Sequence, residues 1–191
     1  MNINSVHIRL LTLDDLEMAA EHLEVHSAEN AEGDPYFMPY DSTHRIEKEP
    51  YMEKRRPRWS AARGAGQYWE RMWGLFVDGQ LVGHVDLNQA GMATQLHRVN
   101  LGVGLLKPWR GQGHGRRLTQ FAIDQARALT GVDWLDLGVF AANTRAVGLY
   151  HSLGFKETGR VVDVFRLDGI SIDDIQMTLW VGDPQDPRAH H

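Results

Sequence analysis

The chain has no cysteine among its 191 residues. Disulfide bonds, thiol nucleophiles, cysteine-ligated zinc and iron–sulfur clusters are therefore excluded, whereas metal sites built from histidine and aspartate stay open. Long apolar runs are also missing, since no stretch approaches the ~18–20 residues that a membrane helix needs. The first residues lack the basic segment and apolar run of a secretory signal, so we expect a cytoplasmic protein without a membrane partner.

Positive charge is scarce as well. The 20 Lys and Arg residues are outnumbered by 25 Asp and Glu residues, which gives a net charge of −5. A general nucleic-acid binder normally presents a broad basic face, so we expect no nucleic-acid partner. With 42% hydrophobic residues, the chain has the composition of a domain with a packed core. We expect one domain over residues 1–182 and a loose tail over residues 183–191.

The hydrophobic pattern predicts both strands and helices. Alternating apolar residues predict strands at 6–10, 74–77, 80–87, 99–105, 134–140, 158–167 and 170–181. Helical spacing predicts helices at about 13–29, 116–129 and 143–154, the first after a capping box from Thr12 to Asp15 and the last ending at Gly154. The pairs Asp78-Gly79 and Asp168-Gly169 are typical of two-residue hairpin turns.

Residues 30–72 show no clear period. They contain four prolines and many aromatic side chains, which fit a core, a lid or the wall of a substrate site. The basic run at residues 54–58 is interpreted as a solvated face, because three glutamates lie beside it.

Two histidines on the first predicted helix form a second open feature. His22 and His26 are four residues apart and share one helix face, so they could ligate a metal ion. Since no third ligand is near them in the sequence, we interpret them as two partly exposed surface histidines.

A glycine-rich segment at residues 107–117 lies between a predicted strand and a predicted helix. Its three alternating glycines allow a tight turn with exposed N–H groups, and the N-terminus of a helix favours a phosphate or pyrophosphate. A turn that only reverses the chain is the alternative. A dinucleotide fingerprint is excluded because Arg116 stands where the third glycine belongs, and the Gly-Lys-Ser/Thr of a Walker loop is absent.

Two motifs resemble a known family. Arg110-x-x-Gly113-x-Gly115 is similar to the pyrophosphate loop, Gln/Arg-x-x-Gly-x-Gly/Ala, of the GNAT superfamily of acetyl-CoA-dependent N-acetyltransferases. The stretch from Asn143 to Phe155 is similar to that superfamily's Asn-x-x-Ala-x-x-Leu-Tyr-x-x-x-Gly-Phe. The resemblance covers the residues from about 73 to 181 well. It implies an α+β fold with a mixed, mostly antiparallel sheet of about seven strands, helices on both faces and splayed central strands.

The resemblance also implies roles for individual residues, with acetyl-CoA as co-substrate and an amine-bearing molecule as acceptor. Asn143 would bond the cofactor near the thioester, Tyr150 would be the general acid beside the sulfur, and the N–H of Leu105 would stabilise the oxyanion. Pantetheine would pair with the backbone of Val103, Gly104 and Leu105, and the pyrophosphate loop would comprise Arg110, Gly111, Gln112, Gly113, His114, Gly115 and Arg116. A homodimer stays open.

The usual catalytic base is missing from the sequence. The positions at which relatives carry a glutamate base are Asn100 and Gly138 here. The nearest polar substitutes are His84, Asp86 and Asp136, but the sequence favours a proton that leaves through water or an enzyme that binds the small fraction of neutral amine. The expected function is thus an N-acetyltransferase acting on a small molecule or a peptide. A non-catalytic CoA-binding regulatory module and an anion-binding protein of unrelated chemistry are the alternatives.

Overall fold

The computed structural model describes residues 5–30, 35–89 and 91–190. Its strands are β1 (Val6–Leu10), β2 (Trp69–Val77), β3 (Gln80–Gln89), β4 (Arg98–Leu105), β5 (Trp134–Phe140), β6 (Lys156–Leu167) and β7 (Ile170–Trp180). Its α-helices are α1 (Leu16–Ala28), α2 (Lys48–Ser60), α3 (His114–Ala128) and α4 (Thr144–Ser152). Within these described residues, every helix is too short or too polar to cross a membrane.

The strands form one sheet in the order β1-β2-β3-β4-β5-β7-β6. All neighbours are antiparallel except β4 and β5, which confirms the predicted mixed, mostly antiparallel sheet. The β4–β5 ladder is short, running only from the pair Arg98–Trp134 to the pair Asn100–Asp136. Beyond this ladder β4 and β5 no longer pair with each other. The sheet therefore has an opening between their C-terminal halves.

Helices cover both faces of the sheet, as predicted. His84 on β3 contacts His22 of α1, while the space beside the preceding residue, Gly83, is filled by Leu118 of α3. Because successive residues of a strand point to opposite faces, α1 and α3 lie on opposite sides of the sheet. The α2 helix shares a buried apolar cluster with α1, so we call their side of the sheet the α1–α2 face.

The turns follow the predictions made from their glycines. Asp78 and Gly79 have φ angles of 49° and 83°, and Asp168 and Gly169 have φ angles of 47° and 79°. Positive φ at both central residues matches the right-handed twist of the flanking strands. Gly154 has a φ of 93° just after α4, which is the left-handed conformation expected at a helix end.

The α2 helix was missed by the sequence pattern. One of its prolines, Pro50, lies in the first turn, where no backbone N–H is required. Its buried side chains are Tyr51 and Trp59. The basic run in α2 is not the uniformly solvated face that was expected, since Arg55 forms an ion pair with the fully buried Glu70 of β2.

The C-terminal tail is more ordered than expected. Residues Pro187–His190 form a 3₁₀ turn, and residue 191 lies outside the described residues. Arg188 Nη1 lies 3.2 Å from Asp133 Oδ2, and Trp180 Nε1 donates to the carbonyl of Asp183 at 2.9 Å. These contacts hold the tail against the end of the sheet.

Candidate functional site

The opening between β4 and β5 exposes one edge of β4. The N–H of Leu106 donates to the carbonyl of Val82 on β3 at 3.0 Å. Since backbone groups of successive strand residues point in alternate directions, those of Val103 and Leu105 face away from β3, toward the opening. The carbonyl of Leu105 accepts a bond from Arg110 Nε at 2.8 Å. The N–H of Leu105 and both backbone groups of Val103 are therefore placed for a ligand.

Gly104 differs from the prediction. The same alternation turns its backbone groups toward β3, where it pairs with His84, and not toward the opening. A Cβ atom on Gly104 would collide with the rings of His84 and His26. Gly104 therefore makes room for two buried imidazoles and does not offer its backbone to a ligand.

The glycine-rich loop forms an open cradle at the start of α3. Gly111 and Gly113 have φ angles of 76° and 86°, and no atom of the residues that the structure describes lies within 4 Å of the Cβ that each would carry. The N–H of Arg117 donates to the carbonyl of Gly113 at 3.1 Å, which is the first bond of the helix. The N–H groups of the preceding residues, from His114 to Arg116, have no partner within the helix, and the helix dipole adds to their attraction for an anion. This cradle fits a pyrophosphate.

Arg110, the first residue of the loop motif, has partners inside the protein. Its Nη2 atom lies 2.5 Å from Glu29 Oε2 at the end of α1, and its guanidinium carbon is 5.0 Å from the ring centroid of Phe37. Together with its bond to the Leu105 carbonyl, these contacts tie the end of β4 to α1. The structure thus supports a bracing role for Arg110 beside the cradle.

Two further loop side chains bond to the protein. Gln112 Nε2 donates to the carbonyl of Pro108 at 2.8 Å, and Arg116 Nη2 donates to Ser152 Oγ of α4 at 2.6 Å. The backbone N–H groups of the loop and the remaining N–H groups of Arg116 are the donors left for an anion.

Asn143 is the N-cap of α4. Its Oδ1 atom accepts the N–H of Ala146 at 3.2 Å. Capping occupies the carbonyl oxygen of the side chain, so the Nδ2 group is the donor that can reach a ligand.

A pair of substitutions separates these two roles of Asn143. Asn143→Ala is expected to lower the free energy of unfolding by about 1 kcal/mol and to weaken acetyl-CoA binding, because it removes the cap and the donor. Asn143→Asp keeps the capping oxygen and replaces the Nδ2 donor by a negatively charged oxygen, so it should weaken binding at almost unchanged stability. Denaturant unfolding and calorimetry measure the two effects. If the folded Asp variant binds acetyl-CoA normally, Asn143 acts only as a helix cap.

Tyr150 lies in the core between α4 and the sheet. It is 7% exposed, and its ring packs edge-on against Phe155 with centroids 5.7 Å apart. No group in the described part of the chain hydrogen-bonds its hydroxyl. Burial raises the pKa of Tyr150 to about 12, so the phenol keeps its proton at neutral pH. Leu149, the preceding residue, borders Gly115, which places α4 beside the cradle.

The two histidines of α1 are not the exposed surface pair that was expected. His22 and His26 are buried and meet His84 in a histidine cluster, with His22 Nε2 2.9 Å from His84 Nδ1. Burial lowers the pKa of His22 to about 4 and that of His26 to about 3, and it lowers the pKa of His84 as well. All three rings are therefore neutral at pH 7. Over residues 5–30, 35–89 and 91–190, no group of three or more His, Asp or Glu side chains has a metal-binding arrangement.

The three substitutes for the missing base differ in their surroundings. His84 belongs to the histidine cluster, and Asp136 forms an ion pair with Arg98 at 2.6 Å. Asp86 is buried, and one of its oxygens accepts a bond from Asn88 Nδ2 at 2.8 Å. Burial, and secondarily the negative charge of Glu70, raises the pKa of Asp86 to about 6.

Two buried carboxylates were missed by the sequence analysis. Glu70 lies at the start of β2 on the α1–α2 face, in the segment that showed no clear period. Asp174 on β7 lies over Gly138 of β5, where a Cβ would come within 2.8 Å of its Oδ2 atom. Burial raises the pKa of Asp174. Nothing in the local sequence distinguishes these two residues from surface carboxylates.

Known structures share this fold. The protein yncA of Salmonella typhimurium, named as an acetyltransferase and solved with its cofactor acetyl-CoA, superposes with a TM-score of 0.76 at 20% identity over 96% of this chain and 98% of that chain. An acetyltransferase of the GNAT family from Streptococcus pneumoniae superposes with a TM-score of 0.78 at 22% identity, over 93% of this chain and 100% of that chain.

Sequence relatives lead to the same family. The uncharacterized N-acetyltransferase YycN of Bacillus subtilis is 42% identical over 59 residues, which are 31% of this chain and 37% of YycN. The N-alpha-acetyltransferase RimI of Mycobacterium tuberculosis is 32% identical over 106 residues, which are 56% of this chain and 63% of RimI. The chain thus spans less than two thirds of either relative. Residues 30–155 match the Acetyltransferase (GNAT) family, and the match includes the segment 30–72 that the motifs left uncovered. The chain belongs to the GNAT acetyltransferase family.

Proposed function

We propose that the protein transfers the acetyl group of acetyl-CoA to a primary amine by direct attack. One observation carries this proposal: the free edge of β4 at Val103 and Leu105 leads along the chain into the glycine cradle at Gly113. A ligand with a pyrophosphate and an extended amide-bearing arm fits such a continuous site. The fold shared with yncA, which was solved with acetyl-CoA, supports the same ligand.

The chemistry begins at the amine. An alkylammonium with a pKa near ~10.4 has no lone pair, so it must lose a proton before it attacks the thioester carbon. Attack forms a C–N bond and moves negative charge to the carbonyl oxygen. The N–H of Leu105 points into the opening and would stabilise that oxyanion. Val103 would hold the arm of acetyl-CoA by backbone pairing.

Tyr150 would act as the general acid when the C–S bond breaks. The departing thiolate has a conjugate acid with a pKa near ~8.5, taking the cysteine thiol as a guide. A buried phenol that has no hydrogen-bond partner among the described residues is a suitable donor to such a group, because its proton is present at neutral pH. The position of α4 beside the cradle supports this role.

A non-catalytic module that binds CoA is the competing function. It is favoured by the absence of carboxylates at positions 100 and 138, where Asn100 and Gly138 stand. Such a module would bind acetyl-CoA but would not consume it.

Free-thiol release from acetyl-CoA separates the two functions. The protein would be incubated with acetyl-CoA and a panel of acceptors comprising small amines, free amino acids, an aminoglycoside and peptides with a free N-terminus. The enzyme is expected to release thiol in proportion to acetylated amine with at least one class. Tight binding of acetyl-CoA without release by any acceptor would favour the module.

A further inference from the structure

The part of β4 that borders the opening has few side chains on the α1–α2 face. Alternation along β4 directs Asn100, Gly102 and Gly104 to this face, and two of the three have no side chain. Strand β3 fills the space instead. The register places Asp86 opposite Gly102, and a Cβ on Gly102 would collide with Oδ1 of that carboxylate. The Asp86 carboxylate therefore lies over Gly102.

Asp86 has no cationic partner of its own among the described residues. The nearby guanidinium of Arg55 is engaged by Glu70. The bond from Asn88 satisfies only part of what a carboxylate can accept. Burying a carboxylate without a counter-ion lowers the stability of the fold, and such groups concentrate at functional sites.

The position of Asp86 matches the entry side of an acceptor. The pyrophosphate cradle belongs to α3, which covers the opposite face of the sheet. Acetyl-CoA would therefore reach the opening from the α3 side, which leaves the α1–α2 face available to the acceptor. Gly102, under the carboxylate, directly precedes Val103, whose backbone faces the opening. An amine at the opening would meet Asp86.

We propose that Asp86 is the general base of the transfer, supplied from β3 across Gly102. This inference rests on the proposed acetyl transfer. The carboxylate takes one proton from the ammonium, which leaves a neutral amine and a carboxylic acid. The nitrogen then forms its bond to the thioester carbon, and the C–S bond breaks as Tyr150 gives its proton to the sulfur. The second nitrogen proton restores Tyr150 through solvent, and Asp86 releases its proton to solvent.

The ionisation of Asp86 suits this role. The groups that face it are Glu70 on β2, Arg55 and Tyr51 on α2, and Tyr68 just before β2. With a pKa of about 6, Asp86 is charged at neutral pH and a stronger base than an ordinary aspartate. Activity should therefore fall as the pH drops through about 6, since protonation removes the base. This replaces the route through water that the sequence favoured.

Asp86→Asn tests the proposal, because it keeps the shape of the side chain and removes the charge. For an acceptor that wild type acetylates, kcat/KM at pH 7.5 is expected to fall by about 100-fold or more, as for loss of a general base. The acid limb near pH 6 should disappear, and calorimetry should show acetyl-CoA affinity within about twofold of wild type. Asp174→Asn is the matched control, since it removes a buried carboxylate over Gly138 across the opening and should keep the acid limb.

Three outcomes would overturn the proposal in distinguishable ways. If the wild type acetylates no acceptor, the proposed function itself is wrong. If the wild type is active and the Asp86→Asn variant keeps its rate or its acid limb, only the role proposed for Asp86 is wrong. If the Asn variant does not fold, Gly102→Ala takes its place, because the new methyl group displaces the carboxylate while leaving it in the protein. A folded Ala variant should lose at least about tenfold in kcat, and an unchanged kcat would contradict the proposal.

Discussion

Replacing Gly113 by Val is expected to weaken acetyl-CoA binding by at least about 100-fold, or about 2.7 kcal/mol. Gly113 has a φ of 86°, a conformation that a β-branched residue rarely adopts, so the loop must change shape or carry strain. No atom from the described part of the chain fills the space beside its Cα, and the cradle would receive the pyrophosphate there. A valine side chain would occupy that space. Isothermal calorimetry of the folded variant measures the loss.

Gly66→Val is the matched control for this substitution. Gly66 also has a positive φ, 74°, and within the described residues no atom lies within 4 Å of the Cβ it would carry. It precedes β2 at the end of the sheet opposite the cradle, because the first residue of β2, Trp69, pairs with the last residue of β3, Gln89. The control should lose stability and keep its affinity for acetyl-CoA. Equal loss of affinity in both variants would show that strain, and not contact with the ligand, explains the effect at Gly113.

Replacing Tyr150 by Phe is expected to lower turnover by at least about tenfold, which corresponds to about 1.4 kcal/mol of transition-state stabilisation. The substitution keeps the ring that packs against Phe155 and removes only the hydroxyl. Stability and acetyl-CoA affinity should therefore change little. Because burial raises the pKa of Tyr150 to about 12, the loss should be present across the neutral range and not confined to one limb of the pH profile.

The alternative role for Tyr150 is packing of α4 on the sheet. Steady-state rates of wild type and the Phe variant, measured from pH 6 to pH 9 with one acceptor, distinguish the two roles. A variant that turns over at the wild-type rate over that range would assign Tyr150 to packing.

Local sequence rules determined much of this protein. The two-residue hairpin turn needs positive φ at both central residues, which Asp-Gly accommodates, so the hairpins at Asp78 and Asp168 could be predicted. The strand, glycine loop and helix around Gly113 were also predictable, because glycine spacing and helix periodicity act over a few residues. The motif from Asn143 to Phe155 indicates the family together with the loop motif that begins at Arg110. Its residues lie within one helix, its N-cap and the turn that follows, so it can be read from a short stretch of sequence. These features depend on neighbours in the chain.

Only the tertiary structure decided the acceptor side of the site. The α2 helix is stabilised by the burial of Tyr51 and Trp59. This burial depends on packing against other elements and cannot be read from a short stretch of sequence. His22 is buried and neutral because α1 packs on β3. Its spacing of four residues from the next histidine is equally typical of an exposed helix face. Asp86 lies over Gly102 because a strand register joins residues sixteen positions apart. Burial, charge pairing and register are long-range effects, and for this protein they determine which carboxylate stands at the opening.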